Sequence, residues 1–85
     1  MPEIGRFLGI VIFMNFNEHN PPHFHAKYGD HQIIVEMETG MVEGQFPKRA
    51  LAHVIGWSEQ HQEELINNWN SMKTTGEFKK IPPSE

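Results

Sequence analysis

His23-Phe24-His25-Ala26-Lys27-Tyr28-Gly29-Asp30-His31-Gln32-Ile33-Ile34-Val35-Glu36-Met37-Glu38 is the stretch that decides the fold. Residues 23–28 and 31–38 are two alternating runs, and Gly29-Asp30 between them is a two-residue hairpin turn, because glycine supplies the positive φ that primed turns need. The strands then pair antiparallel, with Tyr28 facing His31, Ala26 facing Ile33, His25 facing Ile34 and His23 facing Glu36. The period of two sorts the side chains. Phe24, Ala26, Tyr28, Ile33, Val35 and Met37 look into a core, while His23, His25, Lys27, Gln32 and Glu36 share the other face.

Upstream, the β-branched and aromatic run Phe7 to Phe16 reads as one strand over 7–16. Leu8, Ile10, Ile12, Met14 and Phe16 lie on one of its faces and Phe7, Val11 and Phe13 on the other. Since one helix covers one face only, the second apolar face calls for other cover or for another chain, a small partner protein or a second copy. Asn17 to Pro22 is a loop by composition. Downstream, a turn at Thr39-Gly40 sends a short strand 41–45 back and sets Glu43 opposite Glu36. Pro47 suits the first position of a helix over 47–73, with Leu51, Val54, Ile55, Ser58, Leu65, Ile66, Trp69 and Met72 as its core stripe. Trp57 falls off that stripe. Gly76 stops the helix, and a tail over 77–85 follows, barred from helix by Pro82-Pro83.

The 85 residues therefore spell a single α+β domain, a small antiparallel sheet of three or four strands with one long C-terminal helix packed on one face. A chain this short buries only about 60–65% of its unfolded surface, so its core is thin and depends on its two Trp and six Phe. The lack of cysteine excludes disulfides, thiol catalysis and Cys-based zinc sites, leaving His and carboxylates as the ligands for any divalent metal. A formal charge of -4 with seven Lys and Arg excludes a broad electrostatic grip on nucleic acid, though not a local patch on RNA. The run 7–16 is too short to span a bilayer, and the expected location is the cytoplasm.

Chemistry concentrates in His19-Asn20-Pro21-Pro22-His23-Phe24-His25. His23 and His25, at i and i+2 on one strand, point the same way about 7 Å apart, and a carboxylate opposite can orient an imidazole or join it on a metal. Two readings stay open. In one, His23 and His25 are a general acid–base pair oriented by Glu36; in the other, His19, His23, His25 and Glu43 hold a divalent metal. The plain alternative is a solvated sheet face, with His19, Asn20, Pro21 and Pro22 merely shaping a loop. Lys48 and Arg49 sit at a helix N-terminus where an anion such as RNA phosphate would relieve their repulsion with the macrodipole. Trp57 and His61, with His53 and Glu64, line the helix flank and could stack a base, as could any amphipathic edge.

With those residues in view, the chain resembles the bacterial family known as domain of unknown function 4160. The resemblance runs from Ile4, Arg6-Phe7 and Gly9-Ile10 through His19 to Ala26 and Tyr28-Gly29. It continues through Glu38-Thr39-Gly40, Pro47, Arg49-Ala50-Leu51, Trp57, His61, Glu64-Leu65 and Asn68-Trp69 to Lys80-Ile81. The central run is the specific part. The resemblance implies no established activity, and whether the chain is an enzyme stays open. It does imply a role as one half of a toxin-antitoxin-like or stress-response pair beside a second small protein, or as a regulator, while the apolar second face of the first strand supports the alternative of a non-catalytic protein-binding adaptor. The family's best-matched polar positions fall on His19, Asn20, His23 and His25. Pro82-Pro83-Ser84-Glu85 departs from the hydrophobic finish the resemblance leads one to expect.

Overall fold

The structure is a computed structural model and describes residues 2–82. It is an α+β fold: five antiparallel strands in a meander, in sheet order β1-β2-β3-β4-β5, followed by two helices. The strands are β1 (Glu3–Phe7), β2 (Ile10–Phe13), β3 (His23–Tyr28), β4 (His31–Glu36) and β5 (Val42–Gln45); the helices are α1 (Lys48–Gln60) and α2 (Gln62–Thr74). Sheet and helices enclose one core, in which Phe24, Ile4, Ile10, Ile12, Ile33 and Val54 are almost wholly buried.

The sheet has five strands rather than three or four because the run 7–16 is not one strand. It is broken at Leu8-Gly9, a two-residue turn with φ of 50° and 77° that folds β1 onto β2. Positive φ at both central residues is the requirement of a type I′ turn, and Gly9 meets it freely while Leu8 does so under strain. Leu8 is consequently thrown out to solvent, 68% exposed, instead of joining Ile10, Ile12 and Met14 in the core. β1 itself escapes a reading by alternation because it is five residues long and irregular between Glu3 and Gly5. Gly5 matters there for space: a Cβ would lie 3.1 Å from Trp57 Cζ2.

β3 and β4 pair in the register that the Gly29-Asp30 turn implies, from Tyr28↔His31 to His23↔Glu36. The next turn differs. Glu36 N–H donates to Met41 O and Gly40 N–H to Glu36 O, so the loop is the four residues Met37–Gly40, not Thr39-Gly40 alone. Glu43 therefore faces Ile34 and Val42 faces Val35, two residues away from the expected pairing of Glu43 with Glu36. A slip of two keeps every side chain on its own face, which is why Val42 still packs against the core. The physical reason is Gly40: its φ of 77° lets its N–H reach Glu36 O and close a four-residue loop, while Met37 continues the β3–β4 pairing through Pro22 O and its carbonyl accepts from Gln62 Nε2.

The long helix is in fact two, and the residue between them, His61, has φ -116° and ψ 23°. No proline or glycine announces the break. Residues 59–64 carry no apolar side chain to hold a continuous helix on the sheet, and Glu63 and Glu64 form the acidic first turn that a new helix favours. Pro47 is the N-cap, its carbonyl accepting from Leu51 N–H, so α1 begins one residue later than expected. Gly76, with φ 78°, ends α2 as expected.

Trp57 also moves, from the expected helix flank into the core. It is 6% exposed, stacks on Phe7 with ring centroids 5.2 Å apart and meets Phe24 edge-on. The tail is part of the fold. Ile81 N–H donates to Ile4 O along the free edge of β1, and buried Asn68 both donates to Lys79 O and accepts from Lys79 N–H, each at 2.8 Å. Pro83, Ser84 and Glu85, the end of the expected tail, lie outside the described residues.

Candidate metal centre

The chain from Asn15 to Pro22 crosses from β2 to β3 and brings Glu18 against the start of β3. Glu18 is the candidate residue that spacing alone missed. Its Oε1 accepts from His25 Nε2–H at 2.6 Å and from Asn15 Nδ2 at 3.0 Å, and its Oε2 lies 3.4 Å from His23 Nε2. One ligand atom each of Glu18, His23 and His25 lies within 4.8 Å of the other two. The signal was present in the sequence as the only carboxylate of the loop, one residue before His19. Without the loop's path, nothing distinguished it from a solvated acid.

The two imidazoles are held differently. The His23 Nδ1–H donates to Pro21 O at 2.8 Å, and because a carbonyl oxygen only accepts, the neutral ring carries its proton on Nδ1 and a lone pair on Nε2. The ring leans on Trp69 of α2, centroids 5.1 Å apart. The peptide between Asn20 and Pro21 is cis. His25 is 8% exposed, stacks on Phe13 at 4.9 Å and has its Nδ1 buried with no hydrogen-bond partner among the described residues. Burial is the largest influence on the Glu18 carboxyl and pushes its pKa up. Hydrogen bonds from His25 and Asn15 and the nearby charges of His23 and His25 together outweigh it, and the carboxyl titrates below its usual range.

The other candidates are scattered. Glu36 stands opposite His23 on β4, half-buried, but the carboxylate that touches the imidazoles is Glu18. Glu43 is exposed on β5 in the same row as His25, two strands and so about 10 Å away, outside a shared coordination sphere. His19 lines a cavity with Glu18 without joining the triad. Lys48 and Arg49 are exposed in the first turn of α1, at the other end of the sheet. His61 bonds Glu64 through Nδ1 at 2.7 Å and packs on Trp57. Asn20 and Pro21 are exposed on the loop, and the Pro22 carbonyl anchors Met37.

The sequence matches the family described as "Domain of unknown function (DUF4160)" over residues 9–70, a span holding both the loop and all three converging side chains. The chain belongs to this family. A search of curated proteins and one of solved structures find no match. Among the described residues, no helix of this DUF4160 member is long and apolar enough to cross a membrane.

Proposed function

We propose that this protein binds one divalent cation through Glu18, His23 and His25, the cation displacing the proton that His25 Nε2 donates to Glu18 in the metal-free chain. We further propose that it acts as one component of a toxin-antitoxin-like pair, with RNA as the substrate. One observation carries the metal assignment. The lone pair on His23 Nε2, fixed there by the Pro21 carbonyl, faces Glu18 Oε2 across 3.4 Å. Two acceptors so placed repel unless a proton or a metal cation lies between them, and the spacing fits the cation, since two ligands of a tetrahedral ion with bonds of 2.0–2.1 Å sit ~3.3 Å apart. A carbonyl on the far nitrogen is also the usual outer partner that orients a metal-bound imidazole. Two imidazoles and a carboxylate suit zinc, cobalt or ferrous iron better than calcium or magnesium. A cation there can polarise a phosphoryl oxygen or acidify bound water, chemistry that cleavage of a phosphodiester needs. The paired-system role is supported by the family resemblance.

The metal half is tested by titrating the purified chain with Zn2+ and Co2+. One ion per chain and a raised melting temperature are expected, with Glu18→Gln or His25→Ala weakening uptake at least tenfold. A chain that takes up neither ion sinks the assignment. The RNA half is tested by expressing wild type and the His23→Ala/His25→Ala double variant, with and without the neighbouring gene. Growth inhibition and RNA cleavage that persist in the folded double variant would refute it.

A second function, a protein-binding adaptor or homodimer, is favoured by Leu8, which stands 68% exposed on the first hairpin. Sedimentation alone and with the neighbouring gene's product tests it; a strict monomer that ignores that product counts against it.

A further inference from the structure

Beside the three converging side chains lies a cavity of about 370 Å³ lined by Phe16, Asn17, Glu18, His19, Met72 and Lys73. It joins the loop to the last turn of α2. Lys73 is the cation on its wall. Its Nζ sits 4.9 Å over the ring of Trp69, the same indole on which His23 leans at 5.1 Å, so ammonium and imidazole are at most about 10 Å apart. Trp69 is 4% exposed and therefore serves as a fixed backing for both, not as a platform for a ligand. Packing on the indole holds the ammonium near the centre while leaving its donors to the cavity.

The charges decide what the cavity takes. With Glu18 ionised and no cation bound, Lys73 and Glu18 cancel, and an anion gains little. A divalent ion on Glu18, His23 and His25 turns the same wall positive by two, with Lys73 and an His19 ring N–H as hydrogen-bond donors. We infer that Lys73 and His19 form an anion subsite beside the Glu18–His23–His25 centre, taking a phosphate group once the cation is bound. This rests on the metal assignment above. Metal and phosphate must then favour each other's binding by one common factor, about 5- to 150-fold for coupling of ordinary size.

The experiment uses the full chain with Co2+, whose paramagnetism broadens the 31P resonance of bound inorganic phosphate. A second arm uses a short oligoribonucleotide without terminal phosphate. Broadening beyond that given by free Co2+ is expected with wild type. It should fall at least fivefold with Lys73→Gln and be kept with Lys73→Arg, while Co2+ uptake without phosphate stays the same in all three. Broadening in the oligoribonucleotide arm alone would make the ligand a phosphodiester, and broadening in the inorganic phosphate arm would make it a free phosphate dianion; either supports the subsite. Co2+-loaded protein that broadens neither, or that binds as well with Lys73→Gln, overturns the subsite and leaves the metal centre standing. No Co2+ uptake overturns both.

Discussion

The two ends of the sheet are built by different means. At one end the chain reverses in the two-residue turns Leu8-Gly9 and Gly29-Asp30, each set by the φ of its own residues. At the other, the Asn15 to Pro22 segment and the Met37–Gly40 loop are held by distant groups. Pro22 O accepts from Met37 N–H, Gln62 bonds the Met37 carbonyl, His25 bonds Glu18, and His23 lies on Trp69. The first end is local and the second cooperative. A substitution at the second end should therefore cost stability and ligand binding together, whereas one at the first should move stability alone.

Trp69→Ala should show the largest effect. It removes the backing of both His23 and Lys73 from a site 4% exposed, for a loss of about 3–5 kcal/mol by urea unfolding, and Co2+ uptake should fall with it. Where that variant does not fold, Trp69→Phe, keeping a ring, should retain the fold and weaken uptake. Uptake unchanged in a folded Trp69 variant would break the link between packing and site. Next in size, Asn68→Ala deletes both bonds to Lys79, leaves a backbone N–H and C=O unpaired, and should cost about 1–3 kcal/mol. Hydrogen exchange at Ile81 should accelerate more than at β3.

A smaller and pH-dependent effect belongs to Glu18. Its carboxyl titrates below its usual range in the folded chain, so ionised Glu18 stabilises the fold above the unfolded value of about 4.5, and that contribution is lost as pH falls through the lower folded value. In chelator, the stability difference between wild type and Glu18→Gln should therefore be present above about pH 4.5 and shrink as the pH falls below it. A difference that grows on acidification would mean that Glu18 is held protonated, against the geometry.

The same contrast governs what could be read from sequence. Gly29-Asp30 sits between two clean alternating runs, so the β3–β4 register, with His23 opposite Glu36 and His25 opposite Ile34, followed from turn chemistry. Leu8-Gly9 is also a two-residue turn, but with positive φ at both residues, and it hides inside a continuous apolar run, where leucine argues for strand. Glu18 and Trp57 were invisible for another reason. Their roles depend on where a loop crosses and on how two helices, broken at His61, settle on the sheet, and neither is written in local periodicity.

Leu8 supplies the smallest and sharpest test. At φ 50° a leucine pays a steric penalty that asparagine largely avoids, and its side chain, 68% exposed, contributes little to the core in return. Leu8→Asn gives the turn the Asn-Gly pair that type I′ geometry prefers without the extra unfolded-state freedom that glycine would bring. Stability should rise by about 0.5–1 kcal/mol, or about 3–6 °C in melting temperature for a chain of this size, with Co2+ uptake unchanged. The melting temperature should also be independent of protein concentration in both forms. If wild type instead melts higher as concentration rises and Leu8→Asn removes that dependence, the leucine is held in strain by contacts outside its own chain. The turn end would then be a docking edge rather than a local device, and the division between the two ends of the sheet would have to be redrawn.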